Sequence, residues 1–177
     1  MELETAKRHL RRLEAAEGYL LLEMAERSLT ELNAIRGDNS AFAAEWHALY
    51  AEACRQLERF DDALVSYELA SSLGPADARL LSGMAWCFKR IGQLPQAILA
   101  AERAYQADQT QAVLLYNLAC YYTLADDKTM ALSWLGRALR MDSSLCRRVP
   151  NEPDFDLLRD DQDFQFIVAA AAGVDEG

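Results

Sequence analysis

The sequence lacks an excess of positive charge. Its 18 Lys and Arg stand against 28 Asp and Glu, for a formal net charge of −10. Such a surface repels nucleic acid and anionic membrane, both of them polyanions, so neither is expected as a partner. Long apolar runs are also missing. The run IVAAAAGV near the end falls far short of the ~20 residues that cross a bilayer. The opening MELETAKRHLRR has no apolar core behind a basic start and does not read as a secretory signal. The four cysteines, Cys54, Cys87, Cys120 and Cys146, form no CxxC pair and have no His cluster around them. They read as small packed thiols with no metal, in a reducing, cytoplasmic compartment. There is no glycine-rich phosphate loop and no GxSxG. His9 and His47 have no partner motifs, and no catalytic constellation assembles around them. No enzyme activity, catalytic residue or cofactor is expected.

What is present is a repeat. Apolar residues make up 51% of the chain and aromatics only 9%, so alanine carries much of the apolar share, which suits close contact between helices. The stretch Ala78–Gln111 reads as two short helices joined by a turn at Ile91-Gly92-Gln93. Moving 34 residues either way turns Ala97 into Ala63 or Ala131, and Ala104 into Ala70 or Ala138. A period near 34 carried by a helix pair is the mark of stacked helical hairpins, an α-solenoid. The first three cysteines are 33 apart, so each falls one step round its helix from the last.

In order, the first hairpin is expected at residues 3–22 and 25–36, with Gly37 as its stop. Ser28 matches Ala63 at a spacing of 35, which implies one extra residue in the loop Gly37-Asp38-Asn39-Ser40. The second hairpin is expected at 41–57 and 61–73, ended by Gly74-Pro75, and the fourth at 112–124 and 128–141. Pro95 is tolerated in the first turn of its helix. The acidic pairs Asp61-Asp62 and Asp126-Asp127 sit before helices, where carboxylates cap free N–H groups and meet the positive end of the dipole. The periodicity stops at Cys146. A loop with two prolines, Arg147 to Pro153, precedes a short helix and a closing helix from Asp163 to Ala172, with Phe155, Leu158, Phe164 and Ile167 as apolar anchors. The expected division is a repeat domain at 1–145 (repeats near 9–43, 44–77, 78–111 and 112–145), then a loop and capping helix at 146–177.

These residues resemble the tetratricopeptide repeat family, whose helix pair carries Trp-x2-Leu-Gly-x2-Tyr, then Ala-x3-Phe-x2-Ala, then Pro. The third repeat has Leu81, Met84, Ala85 and Phe88, then Ala97, Ala101 and Ala104 in those places. The fourth has Leu115, Leu118, Ala119 and Tyr122, then Ala131, Leu135 and Ala138. The second has His47, Tyr50, Ala51 and Cys54, then Ala63, Tyr67, Ala70 and Pro75. The first departs furthest, with Arg12, Ala15, Ala16 and Tyr19, then Ser28, Leu32 and Ile35.

The resemblance implies a non-catalytic scaffold that binds a peptide or protein surface in a concave groove lined by the first helix of each pair. Register puts Glu52 and Arg55, then Arg79, Trp86, Lys89 and Arg90, then Tyr116 and Asn117 on that face, with Cys120 and Thr123 beside the last two. Asn117 matches one asparagine of the clamp by which some members grip the carboxylate of heat-shock chaperones. Gly83 and Leu13 replace its other residues, so that clamp is not expected. Trp86 amid Arg79, Lys89 and Arg90 suits an acidic or aromatic segment of a partner; the competing reading is a packed tryptophan beside a solvated basic face. An alternative function is a chaperone for secreted or aggregation-prone clients, held by the leucines of the first repeat. Self-association through the first helix is a third reading.

Overall fold

The computed structural model describes residues 2–35 and 41–173. Among them the chain is all α. The order is α1 (Glu2–Leu21), α2 (Ala25–Asn33), α3 (Ala43–Gln56), α4 (Phe60–Leu73), α5 (Ala78–Arg90), α6 (Leu94–Ala107), α7 (Ala112–Leu124) and α8 (Lys128–Met141). Three short 3-10 turns follow, at Ser143–Arg147, Val149–Asn151 and Pro153–Leu158, and then α9 (Gln162–Ala172). Helices α1 and α2, α3 and α4, and α7 and α8 pack as hairpins. The chain divides into two compact units: Met1–Ala76 with Trp86–Ile91, and Asp77–Ala85 with Gly92–Gly177. None of the described helices is long and apolar enough to cross a membrane.

The repeat register is the packing register. In the first unit Ala16, Ala51, Ala63 and Leu32 are fully buried. In the second, Ala97, Ala104, Ala119, Ala131, Leu135 and Ala138 are. Alanine at these places lets two backbones approach with no side chain held between them, at close-packed density. Ser28 occupies the same place in α2, and its hydroxyl is buried with no hydrogen-bond partner. The long side chains of the first unit then bind the hairpins to one another. Trp46 Nε1 donates to the Leu32 carbonyl at the end of α2 (2.9 Å), and Gln56 Nε2 donates to the Leu20 carbonyl at the end of α1 (3.0 Å). Each adds a second donor to a carbonyl of a last helical turn, where Ile35 N–H (3.1 Å) and Glu23 N–H (3.1 Å) already bond Leu32 O and Leu20 O from three residues on.

The hairpin turns share a feature that only one residue advertises in the sequence. Glu23, Glu58, Gly92 and Asp126 all have positive φ, at 57°, 58°, 77° and 58°. At the three acidic positions the next residue closes the same six-residue bond. Met24 N–H reaches Tyr19 O (2.8 Å), Arg59 N–H reaches Cys54 O (2.8 Å), and Asp127 N–H reaches Tyr122 O (2.9 Å). This is the left-handed C-terminal stop usually given to glycine. Repeat 3 uses glycine, and the other three place an acidic residue in the same backbone state.

Several boundaries differ from expectation. Helix α2 ends at Asn33 rather than Arg36, because its last turn tightens: Ala34 N–H bonds Glu31 O and Ile35 N–H bonds Leu32 O, each three residues back. The expected stop at Gly37 and the extra residue in the loop 37–40 lie outside the described residues. Asp127 caps α8 as expected, its Oδ1 accepting from Met130 N–H at 3.0 Å. Asp61 and Asp62 instead lie inside the first turn of α4, whose cap residue is Arg59, and Asp62 accepts from the Arg59 guanidinium (2.7 Å). The segment 147–153 is not an irregular loop. Pro150 is the second residue of one 3-10 turn and Pro153 the first of the next, since a residue without an N–H fits the opening of a helical turn but cannot continue an α ladder.

Two substitutions test the register from opposite sides. Ser28→Ala removes a buried hydroxyl without a partner and restores the residue of the other repeats, so it should raise the unfolding free energy by about 1 kcal/mol. Ala131→Leu should overpack the same place in repeat 4 and lower it by about 1–3 kcal/mol. Urea denaturation of both variants reads the two signs; Ser28→Ala destabilising or Ala131→Leu neutral contradicts the register.

Candidate functional site

The residues placed on the groove face by register fall in both units. Glu52, Arg55, Trp86, Lys89 and Arg90 belong to the first, and Arg79, Tyr116 and Asn117 to the second. In the first unit the structure joins three of them. The guanidinium carbons of Arg55 and Arg90 lie 5.0 and 4.9 Å from the centroid of the Trp86 ring. Phe60 meets the same indole edge-on, at 5.3 Å and 75°, and Arg90 also lies 4.9 Å over the Phe60 ring. The ring quadrupole attracts a cation over its face, so Trp86 holds two arginines in place. Trp86 and Arg55 are half-buried and Arg90 is exposed. Lys89 is half-buried and Arg79 exposed on the same helix.

Glu52 fixes the second end of Arg55. It accepts from Arg55 Nε (2.9 Å) and Nη2, and its Oε2 also accepts from the Tyr67 hydroxyl at 2.9 Å. Burial alone raises the Glu52 carboxyl, but the hydrogen bonds and charge of Arg55, with the donors of Tyr67 and Gln56, outweigh it and hold the group below its ordinary value. Burial, the Glu52 charge and that hydrogen bond together push the Tyr67 hydroxyl up. Cys87, nearby, is pushed up to about 12, chiefly by burial, so it is a neutral thiol rather than a nucleophile. His47 packs edge-on against Trp46 at 5.0 Å, and burial holds its imidazole below 6.5. It is a neutral packing residue.

Around the arginines the first unit forms a cleft of about 700 Å³. Its wall includes Arg27, Arg55, Arg90 and Trp86, together with Glu23, Glu26 and Glu58. Arg90 Nη2 meets Glu58 at 3.3 Å, with Glu58 68% exposed. An ion pair so open to solvent contributes little and exchanges readily. Phe60, Glu58 and Arg27 were absent from the sequence-derived site. Glu58 could have been found from the turn register, since it stands 34 residues before Gly92.

In the second unit Tyr116 does not face an open groove. It is fully buried, with its ring meeting Phe155 edge-on at 5.5 Å and 86°. The Arg148 guanidinium carbon stands 5.1 Å over the Tyr116 ring. Asn117 is half-buried beside it. The unit has its own arginine platform, which the sequence did not single out. Arg137 lies 4.4 Å over Trp134 and 5.4 Å over Tyr105, and its Nη2 donates to the Tyr105 hydroxyl at 2.7 Å.

The Glu52 network has a defined pH signature. A carboxyl held below its ordinary value of 4.5 contributes stability that is complete above that pH and is lost as pH falls through the lowered folded-state value. Glu52→Gln should therefore cost about 1 kcal/mol at pH 7, and its stability should fall less steeply than wild type in the acid range below 4.5. Denaturant melts at neutral and acid pH measure both; parallel curves would remove Glu52 from the acid transition.

No family model matches the sequence, and no curated protein matches it. Solved structures do. A crystal structure of MamA (AMB-1) is 11% identical, with a TM-score of 0.72 over 97% of this chain and 94% of that one. YrrB, described as a TPR protein with an unusual peptide-binding site, is 16% identical, with a TM-score of 0.64 over 96% and 95%. PcrH, solved in complex with the chaperone binding region of PopB, is 18% identical, with a TM-score of 0.56 over 77% and 97%. With its helical hairpins in a 34-residue register and these structural likenesses, the chain has the fold of the tetratricopeptide repeat proteins.

Proposed function

We propose that this chain is a non-catalytic protein-interaction module whose first unit binds an acidic segment, carrying an apolar or aromatic side chain, of a partner protein. The observation that carries this reading is the pair of guanidiniums of Arg55 and Arg90 held on one indole in a cleft, on a chain of net charge −10. Arg90, held on the rings, loses little freedom when it meets a carboxylate and can engage it in bidentate fashion, while Arg55 stays paired with Glu52. A ligand carboxylate would replace Glu58 at Arg90, exchanging one exposed pair for another that a second cation can share. The wall of Met24, Leu57 and Trp86 receives the ligand's apolar side chain. YrrB is described as having a peptide-binding site, and PcrH is described in complex with a segment of its partner; both likenesses support a binding module.

A second reading, a chaperone for an aggregation-prone client, draws on the exposed leucines of α1 and the turn after it. Leu21 is 81% exposed, Leu22 68% and Leu10 40%. Exposed apolar side chains suit an unfolded segment. Co-purification with a single client that precipitates without this chain would favour it over the arginine cleft.

The test of the cleft is calorimetric titration of a partner recovered by affinity pull-down. Trp86→Ala should cost about 2 kcal/mol or more of binding free energy, since it removes the support of two arginines at once. Arg90→Glu should chiefly slow association, and more so at low salt. A folded Trp86→Ala variant that binds as tightly as wild type would refute the cleft as the binding site.

A further inference from the structure

The second unit brings three side chains of metal-ligand type together. The Cys120 sulfur and one carboxylate oxygen each from Glu152 and Asp154 lie within 4.8 Å of one another. Among the described residues no other three His, Cys, Asp or Glu side chains do so. Cys120 and Asp154 are buried, at 3% and 8% exposure, and Glu152 is half-buried. Carboxylates rarely leave water without a cation or hydrogen bonds to hold them. Cys120 and Asp154 also interact with other groups of the chain, so both are positioned before any ion arrives. No CxxC or His pair marks this cluster in the sequence, because its members meet only through the fold.

The cluster stands on fixed supports. Cys120 is carried by α7, one turn after Tyr116. Glu152 and Asp154 flank Pro153, whose ring fixes the backbone between them, and Glu152 Oε1 accepts from Asp154 N–H at 3.4 Å. Phe155 lies beside them, its ring 5.5 Å from those of Tyr116 and Phe164. A second, independent observation points to the same spot. The Tyr116 side chain is fully buried, and its hydroxyl has no hydrogen-bond partner. Burial first, then Cys120, Glu152 and Asp154, push that hydroxyl up against the pull of Arg148. It therefore sits among all three ligand-type groups as a protonated donor without an acceptor, a costly arrangement that a ligand at the cluster would relieve.

We propose that Cys120, Glu152 and Asp154 form a metal site that takes Zn²⁺, with a water in the fourth position that accepts from the Tyr116 hydroxyl. The donor set selects the ion. A thiolate beside carboxylates suits a cation of borderline softness, whereas Mg²⁺ and Ca²⁺ take oxygen alone. Zn²⁺ binds sulfur at about 2.3 Å and carboxylate oxygen at about 2.0–2.2 Å, which sets tetrahedral donors roughly 3.5 Å apart. Rotation of the half-buried Glu152 side chain closes the cluster from its 4.8 Å limit to that spacing. On binding, the Cys120 S–H bond breaks, a sulfur–zinc bond forms, and the proton leaves to solvent with the waters the ion sheds. One thiolate and two carboxylates against a divalent ion leave one negative charge, and the Arg148 guanidinium, 5.1 Å from the Tyr116 ring centroid, offsets it. The ion would fasten residues 152–154 to α7. The site shares no residue with the Trp86 cleft, and neither proposal depends on the other.

The experiment uses the full chain, freed of metal by a chelator and kept in a non-thiol reductant. The probe is Co²⁺, whose bond to a thiolate gives a charge-transfer band in the near ultraviolet. The band should saturate at one equivalent, and Zn²⁺ should abolish it while excess Mg²⁺ leaves it in place. Cys120→Ser should remove the band and Cys146→Ser should keep it. Competition titration should show Zn²⁺ bound at least about tenfold more weakly by Glu152→Gln and by Asp154→Asn, and about tenfold more weakly by Tyr116→Phe, which lacks only the hydroxyl. Zn²⁺ should raise the Tm of the wild type and leave that of Cys120→Ser unchanged. Folding of each variant is checked by circular dichroism, and if Cys120→Ser does not fold, Cys120→Ala is read by the same criteria. No band at one equivalent overturns the proposal, and so does a band that survives replacement of Cys120. Zn²⁺ affinity unchanged in the carboxylate variants or in Tyr116→Phe overturns it equally.

Discussion

Everything in this chain depends on how closely two helices of a hairpin can approach. Alanine at Ala51, Ala63, Ala97, Ala119 and Ala131, all at most 1% exposed, removes the side chain that would hold the backbones apart. Once the axes are this close, the larger residues at neighbouring register positions have only one place to go. Leu32, Leu115 and Leu135 fill the layer between hairpins. The constraint is severe because a packed interior tolerates neither a void nor an extra methylene group. It is also repetitive, so a single rule met every 34 residues builds the whole array.

Rigidity at the alanine seam is what makes the polar surface specific. This chain holds several of its cations on aromatic rings. Arg55 and Arg90 lie on Trp86, Arg137 on Trp134 and Tyr105, and Arg148 on Tyr116. A guanidinium stacked on a ring keeps its donors free at its edge, and the ring takes away most of its rotamer freedom. On a protein with an acidic surplus, such fixed cations are the points where a partner's carboxylates gain most and the surrounding field opposes them least. Glu52 and Glu58 show the complementary side, as acids of the chain itself that already pair with Arg55 and Arg90.

The segment 148–158 illustrates how composition and contact part company. In the sequence its first half reads as a loop with two prolines and its second as a short helix anchored by Phe155 and Leu158, with no sign that Val149 or Asp154 turn inward. In the structure each proline sits at or next to the start of a 3-10 turn, and the turns carry Val149, Asp154, Phe155 and Leu158 inward at irregular intervals. No helical or strand period describes such a spacing. A hydrophobic pattern becomes readable in sequence only when a regular backbone enforces it.

The sequence by itself determined the all-α class, the helix-pair period and the approximate place of each helix, because alanine spacing, the turn glycine Gly92 and the 34-residue period are local or periodic signals. Both ends of α7 and α8 were legible for that reason. It also determined that Trp86 stands among arginines on its helix. Only the tertiary structure decided which arginines touch that ring: Arg55 comes from a different helix, at a distance no spacing encodes. The three acidic residues held at positive φ became visible only with the turns that force them there. The fate of Tyr116 was likewise decided in three dimensions. Register placed it on the groove stripe of its hairpin, but burial depends on what else the chain brings to that stripe, and here Phe155 and Arg148 of a later segment lie against its ring.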